Sequence, residues 1–156
     1  MSEIRTEEIG GAGIFTSPLT IKEEFMITWG ELKETVVDLG YEEDDVVNPD
    51  EEYGRIVASA ANRALSLIYI TVIVPLRSYF EGSPEGFEKI DEETTDEDYV
   101  IPIPYICEPL LPLLTAHYVW LDDDLTKATI YWNEYDDIKT QIINNLSRQA
   151  RIVGGF

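Results

Sequence analysis

Cysteine and histidine occur once each, as Cys107 and His117, in a chain of 156 residues. A lone cysteine excludes an internal disulfide framework and fits a reducing compartment. A lone histidine, set in the apolar run "LLTAHYVWL", reads as a core or interface residue rather than a base. It lies ten residues from Cys107, nearly three helical turns, which does not suit a nucleophile–base pair. Basic side chains are scarce as well: 11 against 31 acids, for a formal net charge of −20. Such a surface repels free nucleic acid, so sequence-specific DNA binding is not expected.

Uninterrupted apolar runs are short. Residues 64–76 carry no charge but end near Pro75, and residues 99–121 hold Glu108 and four prolines. Neither offers the roughly 20 consecutive apolar residues that a spanning helix requires. The start, "MSEIRTEEIGGAG", is acidic and has no apolar signal core. The expectation is a soluble chain made in a cytoplasm, without a membrane partner.

Enough apolar material is present for one domain with a real core, at 44% hydrophobic and 11% aromatic residues. The charge is unevenly spread: −9 over residues 1–45, 0 over 46–80, −8 over 81–98, −6 over 99–137 and +3 over 138–156. The chain is thus an acidic body with a basic end, and its last acid is Asp137.

Residues 1–25 read as an N-terminal arm, mixing turn formers with isolated apolar residues. In "TWGELKETVVDLG", Thr28 and Glu31 have capping-box spacing, and Trp29, Leu32, Val36 and Leu39 share one helical face. Gly40 suits the helix end. Asn48, Pro49 and the acids at 50–52 predict a second helix start. In the helix that follows, Ile56, Ala60, Arg63, Leu67 and Ile70 mark one face, and Val57, Ala61, Ala64, Leu65 and Ile68 widen the stripe. It should be buried on several sides and bend or end before Pro75.

Short strands at 77–81 and 87–90 are expected to pair across "GSPEG", followed by a solvated acidic loop at 91–98. Pro109 opens a third helix that is apolar all round and central. In the fourth, Leu125, Ala128, Trp132, Tyr135, Ile138, Ile142 and Leu146 keep helical spacing, Asp124 caps the start and Arg148 suits the C-terminal dipole. The fold class is therefore mainly α: about four helices in a small bundle, a short β-hairpin excursion and extended arms at both ends.

Chemical motifs are absent. "GGAGIF" lacks the lysine of a phosphate loop. "YEEDDVV", "DEETTDED" and "LDDDLTK" lack the glycine and terminal glutamate of a calcium loop. No cleft signature supports paired-carboxylate glycoside chemistry. Neither an enzyme, a metal site nor a cofactor is expected.

The order of elements has a counterpart. "TWGELKETVVDL" leads into "YGRIVASAANRALSLI", then a short excursion ending "YVIPIP", then a helix pair joined through "VWLDDDLTKATIYWNEYDDIKTQI". Over residues 26–156 this resembles the helical head–tail adaptor (connector) proteins of tailed bacteriophages. The resemblance implies a virion neck protein, a ring homo-oligomer of typically twelve copies beneath the portal, with DNA passing through without specific binding. It implies the portal and downstream neck or tail-completion proteins as partners, and a domain over 26–148 followed by a docking tail at 149–156.

In that tail Arg148 and Arg151 can pair with acids, Ile152 and Val153 can add strand hydrogen bonds, Gly154 and Gly155 permit close approach, and Phe156 offers an anchor. Glu42, Glu43, Asp44 and Asp45, or the run from Asp91, Glu92 and Glu93 to Asp98, are candidate channel-lining acids that would repel DNA. Residues 1–25 lie outside the resemblance. The competing reading from another class is a soluble acidic inhibitor or DNA mimic that occupies a nucleic-acid enzyme. A metal-dependent enzyme is a third.

Overall fold

The computed structural model describes residues 27–40, 51–80 and 82–153 (side chains except at 40, 51 and 149–153). The expected arm at 1–25, the second cap at Asn48 and Pro49, and the candidate lining acids Glu42, Glu43, Asp44 and Asp45 all lie outside the described residues.

The chain is mainly helical. α1 spans Trp29–Gly40, α2 Glu51–Ile68, α3 Leu110–Trp120 and α4 Leu125–Val153. The start of α1 is the capping box that the spacing predicts: Thr28 N–H donates to Glu31 Oε1 at 3.0 Å, and Glu31 N–H to Thr28 Oγ1 at 3.2 Å. Asp124 caps α4, its Oδ1 accepting from Lys127 N–H at 3.0 Å.

α3 is the hub. It packs against α1, α2 and α4, and Leu110, Leu111, Leu113, Leu114, Thr115 and Ala116 are all buried. An apolar surface on every side demands partners on every side, as its sequence predicts.

α2 does not stop at Ile68. It widens into a π-helical segment, Tyr69–Ile73, closed by Val74 N–H donating to Tyr69 O at 2.8 Å. The β-branched run meets Pro75, which has no N–H to offer, and the helix loosens before it. Glu52–Ile73 is long and apolar enough to cross a membrane, but 56% of that window is buried inside the protein. It is a core helix.

Two expectations are corrected. The hairpin is not formed: among the described residues there is no strand, only an isolated antiparallel bridge between Thr28 and Val100. Arg77–Tyr79 is a short 3-10 turn, and Gly82, at φ 65°, reverses the chain. Residues 83–90 then run back along α2 without a partner strand. Their polar groups are satisfied by side chains instead. Asn62 on α2 donates to Ile90 O and accepts from Ile90 N–H, both at 2.8 Å, doing for one residue what a neighbouring strand would do. The Tyr69 hydroxyl reaches the carbonyls of Gly86 and Pro102.

The second correction concerns which side of α2 is inside. Val57, Ala61, Ala64, Leu65, Ile68 and Val72 are fully buried, whereas Ile56 is 46% and Ile70 69% exposed. With apolar residues on both sides, periodicity alone does not say which one meets α3.

Candidate partner-binding site

Between α1 and the start of α2 lie residues 91–98, a loop that is largely exposed, as expected, and is folded on itself as a strap. Asp91 Oδ1 accepts from Glu93 N–H at 2.8 Å and Thr94 N–H at 3.3 Å, while Thr95 Oγ1 accepts from Asp91 N–H at 2.8 Å. Asp96 Oδ1 accepts from Asp98 N–H at 2.8 Å. These are local turns of the kind that short acidic side chains favour.

The strap also caps α1. Gly30 N–H donates to Glu97 O and Trp29 N–H to Tyr99 O, each at 2.9 Å, so two of the helix's orphan donors are satisfied by chain nearly seventy residues away in sequence. A Cβ at Gly30 would sit 3.2 Å from Glu97 Cβ and O, and the glycine permits that close approach.

Lys33 clamps the strap from α1. Its Nζ lies 3.4 Å from Glu92 Oε2 and 3.1 Å from Glu97 Oε1, over the Trp29 ring at 5.1 Å. The Lys33 and Glu92 side chains are only 19% and 17% exposed. Glu92 reaches this position across Gly54, where a Cβ would come within 2.2 Å of its carboxyl carbon. From α2, Arg55 Nη2 meets Glu93 Oε1 at 2.9 Å.

Of the candidate lining acids at this position, Glu92 and Glu93 are therefore paired with cations, and Asp91 serves a turn. A cleft of about 650 Å³ opens beside the strap, with Lys33 among Glu31, Glu34, Asp38, Glu92 and Glu97. Among the described residues no three His, Cys, Asp or Glu side chains converge as a metal site would require.

The titratable groups of the interior have structural work. His117 Nδ1–H donates to Ala128 O at 2.8 Å, and the ring lies against Tyr118 and Trp132. Cys107 is fully buried, and burial pushes its thiol up to about 12, where it supplies no thiolate at neutral pH. Glu108 is half-buried just before α3, with Oε2 shielded and no hydrogen-bond partner among the described residues. Burial, then the charge of Glu31, pushes its carboxyl up to about 7.

The expected docking segment begins differently from its prediction. Arg148 is exposed, with Nη2 donating to Asn145 Oδ1 at 3.5 Å. The chain does not turn into an extended strand at residue 149, because α4 continues through Val153. Residues Arg151, Ile152 and Val153 thus have helical backbone with no break to release them, and Gly154, Gly155 and Phe156 lie outside the described residues. At 29 residues α4 is far longer than the 11-residue α3 it packs on. At 1.5 Å per residue these lengths are about 43 and 16 Å.

Sequence reasoning missed the clamp of Lys33, Glu92 and Glu97, whose partners lie far apart in the chain. It also missed that the Ile56–Ile70 side of α2 faces outward. No signal in the sequence distinguishes the latter, because both sides of the run from 53 to 80 are free of acids. Compared with protein-family models, with curated proteins and with solved structures, the chain matches none.

Proposed function

We propose that this chain is a structural subunit of the neck of a tailed-phage virion, a head–tail adaptor that forms a ring below the portal and docks on it through its C-terminal segment. The observation that carries the reading is the disproportion of α4. It is far longer than α3, and its last third lies in a stretch with net charge +3, residues 138–156. A rigid helix is a suitable way to hold Arg148, Arg151 and the residues after them away from an acidic body. The docking element then begins as helix, with Gly154 and Gly155 as the first residues able to change direction freely.

Acids around the channel would keep passing DNA from sticking. On the strap, Asp96 and Asp98, both exposed, suit that role better than Glu92 and Glu97, which Lys33 holds. Replacing Asp96 and Asp98 together by lysine is expected to slow genome ejection; an unchanged rate would remove the strap from the channel wall.

Co-sedimentation with assembled portal rings tests docking, using the full chain and a version lacking residues 149–156. Binding by the full chain and its loss on truncation supports the tail as the docking element. Binding by both moves the contact to the helical body. Binding by neither, with displacement of DNA from a nuclease or polymerase, transfers the assignment to the acidic-inhibitor reading.

A further inference from the structure

The outward side of α2 is chemically unlike the rest of the molecule. Ile56, Ser59, Arg63, Ser66, Ile70 and Val74 are all exposed and spaced three or four residues apart, while the side facing α3 is filled by other residues. Ile70 is 69% and Val74 51% exposed. The acid-free run from 53 to 80 is the longest in a chain of net charge −20. Asp91, Glu92 and Glu93 border its start beside Ser59, and the part from Arg63 to Val74 offers a second copy a face with no acid of its own. Large apolar side chains aligned on one exposed helical stripe mark an interaction surface.

The complementary face is on the same chain. The exposed side of α4 presents Thr126, Ile130, Asn133 and Asp137 in helical spacing, with Ile130 52% exposed. Its register matches α2 run backwards. Arg63 stands seven residues before Ile70 and eleven before Val74, and Asp137 stands seven after Ile130 and eleven after Thr126. At 1.5 Å per residue Asp137 lies about 10 Å from Ile130 along α4. Arg63 lies on α2 about two turns before Ile70, which is in the π-helical segment that continues it. Laid antiparallel, the two helices bring Arg63 to Asp137, Ile70 to Ile130 and Val74 to the Thr126 methyl group together. Arg63 is held at the edge of the stripe by stacking on Tyr118, 4.2 Å from the ring centre, so little order is lost when it pairs.

We infer that the α2 face of one copy packs antiparallel on the α4 face of the next, through Ile70–Ile130 contact and an Arg63–Asp137 ion pair. The two faces differ, so the contact is head-to-tail and repeats from copy to copy, giving a ring where the rotation closes. This names the self-contact of the adaptor reading and rests on that reading for its closure into a ring. The two fail separately, since portal binding and self-association are read by different measurements.

The test is the weight-average mass of the full chain by sedimentation equilibrium over a wide concentration range, with far-UV circular dichroism as the control for folding. The wild type is expected to rise above the 17.8 kDa of the monomer. Ile70→Glu, Arg63→Glu and Asp137→Arg are each expected to weaken association by about tenfold or more, as the loss of a central apolar or charged contact does. The double swap Arg63→Glu with Asp137→Arg is expected to recover most of it.

A wild type that is monomeric throughout overturns the inference, as does association that ignores Ile70→Glu. Failure of the double swap to recover overturns the Arg63–Asp137 register. A monomer whose portal binding is lost in Ile70→Glu overturns self-contact and reassigns the stripe to the portal, while leaving the adaptor reading in place.

Discussion

Glu108 and Lys33 show how single side chains set the behaviour of this acidic molecule. The Glu108 carboxyl is raised to about 7 in the fold from an ordinary 4.5, by burial and by Glu31. The folded state therefore holds that proton more tightly than the unfolded chain. The stability it contributes is complete below about pH 4.5 and is lost as pH rises through about 7. Glu108→Gln is expected to leave the melting temperature little changed at pH 5 and to raise it at pH 8, flattening the profile between; a profile with the wild-type slope would contradict this.

Lys33 presents the reverse case, a cation that holds two carboxylates. Lys33→Met leaves half-buried Glu92 without its partner and is expected to cost about 1–3 kcal/mol in urea unfolding. Adding Glu92→Gln should return part of that loss, and strictly additive losses would mean the two do not interact. Neither effect is legible in the sequence. Local spacing gives the Thr28–Glu31 box and the Asp124 cap, because both partners lie within one helical turn. It is silent on Lys33 and Glu92, 59 residues apart, and on Gly30, whose reason is the approach of Glu97.

At the scale of elements, the helices were readable and their surroundings were not. The apolar residues on every side of α3 imply a helix packed against several others, and it meets α1, α2 and α4. The outer side of α2 is as apolar in pattern as the inner side, so the sequence predicts burial on several sides; the folded arrangement leaves Ile56, Ile70 and Val74 exposed among the described residues.

The turn formers of the excursion at 77–90 predict a hairpin, yet the return segment finds the side chain of Asn62 rather than a strand. Asn62→Ala removes both hydrogen bonds to Ile90 at once and leaves the peptide polar groups of this buried residue unsatisfied. It is expected to cost about 1–3 kcal/mol and to speed hydrogen exchange at the Ile90 amide ahead of the α3 amides. Equal protection in variant and wild type would show that the segment is held by something else. Leu114→Ala, in the middle of α3, should cost about 2–5 kcal/mol as a buried cavity, and its effect should reach α1, α2 and α4 together because all three rest on this helix.

Over the whole molecule the dominant feature is the separation of charge between an acidic body and the basic end of α4, a helix packed on the core as far as Leu146. Long-range attraction of that end to an acidic partner is screened by salt over about 8–10 Å. Docking through residues 149–156 should therefore weaken markedly between 50 and 500 mM salt, whereas the apolar α2–α4 contact should change little. A salt-insensitive portal complex would argue that the basic residues are not at its interface.

Under the proposed adaptor role, copies of this chain assemble coaxially on a portal. Negative-stain electron microscopy of purified portal rings incubated with the full chain tests it most directly. The account predicts an added ring of density on one face of the portal, sharing its axis and enclosing an open channel. Portal rings unchanged by an excess of the chain, or density scattered around the rim without a common axis, would contradict it.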